Sequence, residues 1–336
     1  MQVTIYPNDT AFVEDMVTIR VDDENHREMI IDRIPKTIDQ STFRCRSSRM
    51  GMRVVSFQKV DETEDHGTEI RMFVDVSDRG DCPCVISYHM AGISWSSSYM
   101  ISIRGDVVDI SSYVGITNDS GADIENARVH LISRNRDNRF VNYDISSDVS
   151  IKNGDTEYIQ MFDVLNIPLS IRYVAPYDSD SVIISRSFIN NLDSGIGLEM
   201  PPGDVKVYEE VDGNGNLIHI DSFKIPAISI GNIISLTERS CEDVSVDGEW
   251  DHHGTATIRV SNMTDEEIEI EVEERCPSDD LILESTHDFI RIDEETIAFL
   301  LTVPPRGISS FIYTIDPSLI DERMVYNSYE HVVGDH

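Results

Sequence analysis

The amino-acid sequence predicts an all-β protein of tandem β-sandwich, immunoglobulin-like modules with very little helix. Three observations carry this. Short runs of alternating apolar and polar residues recur along the chain, turn-forming residues separate them, and no strand–helix–strand rhythm intervenes. The densest signal is Cys84–Ile103, CVISYHMAGISWSSSYMISI. Val85, Ser87 and His89 alternate with Ile86, Tyr88 and Met90. After the break at Ala91 and Gly92, Ile93, Trp95, Ser97 and Tyr99 alternate with Ser94, Ser96, Ser98 and Met100. Period two around a glycine reads as a hairpin or a sheet corner. Trp95, one of two tryptophans, stands in this serine-rich strand as the large residue of a sandwich core, with Tyr88 and Tyr99 as further structural core.

The other elements follow in order. The chain opens as a strand, with Val3 and Ile5 set against Thr4 and Tyr6. Alternating runs then fall at Phe12–Val21, Arg53–Val60, Glu69–Val76, Val107–Thr117, Ala127–Ile132, Tyr158–Phe162, Ser170–Tyr173 and Ser181–Phe188. They continue at Val205–Val211, Leu217–Ile225, Ile230–Leu236, Thr255–Val260, Ile268–Glu273, Phe289–Ile292, Ile297–Val303 and Ile308–Ile315. Turn chemistry separates them at 118–121, 153–154, 212–215 and 262–265. Helix is expected only as one or two turns at Pro317–Val325 and a single turn at Ile124–Ala127. Patterning lapses over Thr237–Gly248, which sets a boundary: 1–240 as one large sandwich region or two interleaved modules, 241–318 as a small C-terminal sandwich, and 319–336 as a polar tail.

Charge excludes some functions. The formal net charge is −35, with only five lysines. Such a field repels phosphate backbones and anionic lipid, so nucleic acid and membrane surfaces are not expected partners. Abundant carboxylates with scarce lysine also suit a surface working in high salt, where the Debye length falls to ~3 Å at 1 M. An ordinary acidic protein, or one with weak cation binding at acidic loops, fits the same composition. No stretch is apolar for the ~18 residues a membrane helix needs. MQVTIYPNDT has neither the basic nor the apolar region of a secretory signal, so cytoplasmic synthesis is expected. The odd count of cysteines (Cys45, Cys82, Cys84, Cys241, Cys276) argues for a reducing compartment rather than a disulfide framework. Sequons occur at Asn8, Asn118 and Asn262, and carry little weight without a signal.

Chemistry-bearing motifs are sparse. Asp212–Asn216 begins like a calcium loop, but Leu217 and Phe223 stand where the loop needs Gly and Glu, so a hairpin turn is expected. Asp251, His252 and His253 are adjacent, which sends strand side chains to opposite faces, and a solvated loop is expected. Cys82-Pro83-Cys84 lacks the two-residue spacing of redox and zinc motifs and reads as the start of a strand. No nucleophile elbow and no glycine-rich phosphate loop is present. The carboxylate pairs Glu273–Glu274 and Asp279–Asp280 read as surface runs. Tyr88, Trp95, Tyr99, Tyr113, Tyr173, Tyr177 and Tyr208 either line a carbohydrate face or sit half-buried in cores and interfaces.

One set of segments carries a resemblance. It comprises VTIYPNDTAFVE from Val3, IPKTIDQSTF from Ile34, the Ser87–Tyr99 pattern around Trp95, ITNDSGADIENA from Ile116 and GIGLEMPPGDVKVY from Gly195. Ile258–Asn262 and Val303–Gly307 follow near the end. In this order they resemble the mucoidy-inhibitor A (MuiA)-like family of β-rich proteins. The chain departs from that family in three ways. It lacks the helical N-terminal extension, its insertion after the first strands is reduced to about Asp61–Asp81, and Ile124 stands in place of a tryptophan. The resemblance implies a β-sandwich and no catalytic residues, because the family has no settled activity.

Two functional readings remain. The first is a non-catalytic structural or protein-interaction protein, a component of an assembly such as a virion or surface layer, with no cofactor. Its contact elements are the irregular segment Ser133–Val149 and the tail residues Leu319, Ile320, Met324, Val325 and Tyr326. The alternative is a carbohydrate-active or hydrolytic protein with a site on the sandwich loops. A pocket lined by a histidine and two carboxylates would favour the alternative, and large apolar patches the first.

Overall fold

The computed structural model of the chain describes residues 1–21, 28–47, 52–63, 67–76, 80–135, 138–211, 213–251, 253–278 and 281–315. In order the strands are β1 (Gln2–Ile5), β2 (Thr10–Val21), β3 (Glu28–Ile34), β4 (Ile38–Ser47), β5 (Met52–Thr63), β6 (Gly67–Val76), β7 (Gly80–Ala91) and β8 (Ile93–Arg104). Next come β9 (Val107–Asn118), β10 (Ile124–Arg134), β11 (Phe140–Asp144), β12 (Val149–Ile151), β13 (Thr156–Pro168), β14 (Ser170–Ala175), β15 (Val182–Ile189), β16 (Gly203–Glu210) and β17 (Leu217–Ile225). The last are β18 (Ile233–Cys241), β19 (Val244–Trp250), β20 (Thr255–Asn262), β21 (Ile268–Arg275), β22 (Ile282–Ser285), β23 (Phe289–Arg291), β24 (Thr296–Val303) and β25 (Ile308–Ile315). The fold is all-β in several open sheets, and among the described residues no α-helix occurs and no helix is long and apolar enough to cross a membrane.

Two compact units result: 1–167 with 190–232, and 168–189 with 233–336. In the first, sheet I runs β11-β10-β1-β2-β7-β4 with β12 also on β10, sheet II runs β3-β6-β5, and sheet III runs β13-β9-β8-β16-β17. One core joins their inner faces through residues such as Val3, Ile5, Phe43, Ile70, Met72, Tyr88 and Ile116. In the second unit, sheet IV runs β18-β15-β14-β21-β24-β23 and sheet V runs β19-β20-β25-β22. Their core is centred on Phe299, Phe311 and Tyr313, whose rings lie 4.4–6.0 Å apart. The sequence boundary at 240/241 thus falls inside the second unit. Val182–Ile189 pairs antiparallel with Ile233–Cys241, joining segments on either side of the long stretch that returns to the first unit.

The Cys84–Ile103 pattern is a corner. β7 pairs with β2 and β4, whereas β8 pairs with β9 and, in parallel, with β16. Gly92 makes the turn at φ 76°, and a Cβ there would lie 2.7 Å from the Asp119 carbonyl oxygen. Tyr88 and Tyr99 are buried, and the Tyr99 hydroxyl donates to the Pro201 carbonyl at 2.6 Å. Burial pushes both phenols well above the usual tyrosine range. Trp95 is only half-buried. It packs on the first core 6.1 Å from the Tyr143 ring, and its indole N–H is enclosed with no partner among the described residues.

Three other expectations change. Ile124–Ala127 is not a helical turn but the start of β10. Its i, i+3 apolar spacing arises from a bulge, with Asn126 at φ 48°, which turns Ile124 and Ala127 to the same side against β12. Within Ser133–Val149, Phe140–Asp144 forms β11, which hairpins back on β10 in register His130↔Asp144 to Arg134↔Phe140. Glu273–Glu274 is not a simple surface run: Glu274 is half-buried beside Tyr313, and burial raises its carboxyl to about 7.

The sequons at Asn118 and Asn262 are structural. Both side chains are fully buried. Asn118 donates to the carbonyls of Ala122 (2.9 Å) and Ile151 (3.1 Å), and its Oδ1 accepts from the Ser120 amide and hydroxyl. Asn262 donates to the carbonyls of Glu266 (2.8 Å), Pro304 (3.1 Å) and Val303 (3.3 Å), and its Oδ1 accepts from the Thr264 amide and hydroxyl. The hydroxyl two residues on orients the amide, which ties a strand end to the next turn.

Candidate functional site

One concavity lies on the outer face of sheet III, with a volume of about 520 Å³. Period-two geometry builds it. On β8 the odd residues Ile93, Ser97, Tyr99 and Ile101 face inward and are buried, so Ser96, Ser98 and Met100 face solvent. Register then assembles two rows across the sheet. Tyr113, Ser98, Asp204 and Lys224 stand side by side, and Ser111, Met100, Lys206 and Ser222 form the row beside them. At a strand spacing of about 4.8 Å, each row spans roughly 14 Å.

Tyr158, on β13, closes one side. Its ring lies against Gly115, where a Cβ would come within 3.0 Å of Cε1, and the ring stays largely exposed. Phe223 lines the opposite side. Lys224 pairs with Asp204 at 3.3 Å. Lys206 has no ion pair among the described residues, and the hydroxyls of Ser96 and Ser98 have no protein partner there either. Two of the chain's five lysines therefore share one groove with a single carboxylate in a protein of net charge −35. Beyond the groove, β17 is the edge of the sheet, and Leu217 and Ile218 are exposed on it.

A second, more acidic cleft of about 960 Å³ lies where Met1, β2, β3 and β7 meet the turn before β10 and its first residues. Asp15, Asp32, Asp123, Glu125 and Arg33 line it, with Tyr88 at its base, and no histidine is among the described lining residues. Its Asp15 is paired to the Met1 amine at 3.2 Å, and Asp123 accepts from the Asn153 amide.

Catalytic constellations are incomplete among the described residues. His130 pairs with Asp144, and this bond together with one from Asn142 holds the Asp144 carboxyl below its usual range, but no hydroxyl or thiol bonds the ring. His219 Nε2 lies 2.7 Å from Ser222 Oγ on exposed β17, with no carboxylate on the ring's other nitrogen. Asp251 caps the β19–β20 turn by accepting from the amides of His253 and Thr255. Among the described residues, no group of three or more His, Cys, Asp or Glu side chains is arranged to hold a metal ion by itself.

Of the expected aromatic residues, Tyr113 lies on the groove face, Tyr88 and Tyr99 are internal, and Tyr173, Tyr177 and Tyr208 are half-buried elsewhere. The expected contacts Leu319, Ile320, Met324, Val325 and Tyr326 lie outside the described residues, as do Asp212, His252, Asp279 and Asp280. Sequence reasoning missed Tyr158, Lys206 and Lys224. The one available signal was the scarcity of lysine. No protein-family model matches the chain, and no curated protein matches it significantly.

Proposed function

We propose that the chain is a non-catalytic interaction protein that docks other protein chains on the outer face of sheet III and its β17 edge. One observation carries this. In a strongly acidic chain, the groove between β8, β16 and β17 gathers Lys206, which has no ion pair among the described residues, a second lysine, exposed serine hydroxyls and exposed rings near a strand edge that exposes Leu217 and Ile218. Exposed rings and apolar edge residues supply buried area on association, and the lysine and hydroxyls set orientation. The likeness to the MuiA-like proteins belongs to the same proposal and adds no chemistry to it. Lys206→Glu and Ile218→Lys should each release protein partners that co-purify with the tagged chain from its native source. A chain that purifies alone, or partners retained by both variants, would overturn the reading.

A second reading is carbohydrate binding. The Tyr158 ring, backed by Gly115 and flanked by serine hydroxyls, has the form of a sugar-stacking platform. Glycan-array binding lost in Tyr158→Ala, with the protein partners unchanged, would select it.

A further inference from the structure

Three strands bring four sulfur atoms together in the first unit. Cys82 and Cys84 are two residues apart on β7, so their side chains share a face. Cys45 on β4 pairs with Ile86, one step diagonal from Cys84 on the same face of the sheet. Met52, the first residue of β5, places Sδ 3.4 Å from Cys82 Sγ and 3.6 Å from Cys84 Sγ. Ser47 Oγ lies 3.0 Å from Cys82 Sγ. Cys82 and Cys84 are buried, Cys45 and Met52 are half-buried, and all are free of disulfides.

We propose that Cys82, Cys84 and Met52, with Cys45 alongside, form a site for a soft monovalent metal ion of the copper(I) class. Thiolate and thioether donors favour such ions. Metal–sulfur bonds of about 2.3 Å put the sulfurs of a trigonal site about 4 Å apart, so these contacts need open by only about half an ångström. The third donor is a thioether, which suits copper(I) and not zinc. On binding, two thiols lose their protons to solvent and the ion stays monovalent, so no oxidant or reductant takes part. A buried pair of thiolates then keeps one net negative charge instead of two. The local arrangement also fits plain core packing, since buried cysteine behaves as a small apolar residue. The test separates the two.

The reduced full chain is titrated anaerobically with copper(I) against a chromophoric copper(I) chelator, and stoichiometry is read by native mass spectrometry. One ion per chain is expected. Met52→Leu keeps the volume and should weaken retention by at least about tenfold. Cys82→Ser with Cys84→Ser should abolish it, and Cys241→Ser with Cys276→Ser should leave it unchanged. No copper held against the chelator would overturn the proposal. So would retention unaffected by Met52→Leu or by the Cys82 and Cys84 substitutions, or displacement by equimolar zinc.

Discussion

Replacing Asn262 by Asp tests the account of the second unit at a single atom. The exchange is isosteric and turns one buried NH₂ group into an oxygen. Asn262 now donates to the carbonyls of Glu266, Pro304 and Val303, and its side chain is fully buried. In an ionised Asp, the oxygen in place of Nδ2 would face those three carbonyls without a proton to donate to them. The carboxyl must therefore take up a proton to fold. Holding it protonated at pH 7 against an unfolded pKa near 3.9 costs about 4 kcal/mol, at 1.36 kcal/mol per unit. Losing one of two N–H donors adds about 1 kcal/mol. The folded-state pKa of the new group is raised, so the larger cost is absent below its unfolded pKa and grows as pH rises. Urea unfolding of parent and variant should thus differ by about 4–5 kcal/mol at pH 7 and about 1 kcal/mol near pH 3.5. A variant as stable as the parent at pH 7, or an equal difference at both pH values, would refute the buried-latch reasoning.

Other outcomes follow from the same structure. Glu274, raised to about 7, contributes stability that is present below its unfolded pKa and lost as pH rises through 7. The loss is at most about 3 kcal/mol, because the carboxyl keeps some solvent contact. Glu274→Gln should flatten that part of the curve, and parallel urea midpoints between pH 4 and 8 for parent and variant would contradict it. Gly92→Ala should cost about 2–4 kcal/mol, from left-handed strain plus the Asp119 contact, so a melting temperature within a degree of the parent's would remove the corner's need for glycine. Trp95→Ala should cost about 2–3 kcal/mol, below the ~3–5 of a fully enclosed ring, because Trp95 is half-buried. A larger measured loss would mean that the indole carries more of the core than its exposure indicates.

The strands themselves were legible because period two is a local property. The Cys84–Ile103 alternation places Tyr88 and Tyr99 inside by pattern alone. Partner choice was not legible. Whether β8 hairpins onto β7 depends on β9 and β16, more distant in sequence, and the parallel pairings Gln2↔Arg128 and Tyr173↔Ile270 leave no local trace. The unit boundary was misplaced for a similar reason. Glu238, Arg239 and Glu242 break the alternation near β18, an edge strand that needs little apolar patterning. Asn118 and Asn262 looked like glycosylation signals because the same Asn-x-Ser/Thr spacing serves a side-chain turn. The groove draws on 96–98, 158, 204–206 and 222–224, each of which reads only as a piece of strand. The sulfur cluster announced two of its members through Cys82-Pro83-Cys84, while Met52 and Cys45 arrive through tertiary packing.

Amine-reactive cross-linking with mass spectrometry, applied to the chain in its native surroundings, tests the docking claim most directly. The chain's lysines are Lys36, Lys59, Lys152, Lys206 and Lys224, which spread the reactive amines over few positions. The account predicts that links to other polypeptides concentrate on Lys206 and Lys224, and fall in the Lys206→Glu and Ile218→Lys variants. Links to other chains that arise from Lys36, Lys59 or Lys152 while Lys206 and Lys224 link only within the chain would contradict it.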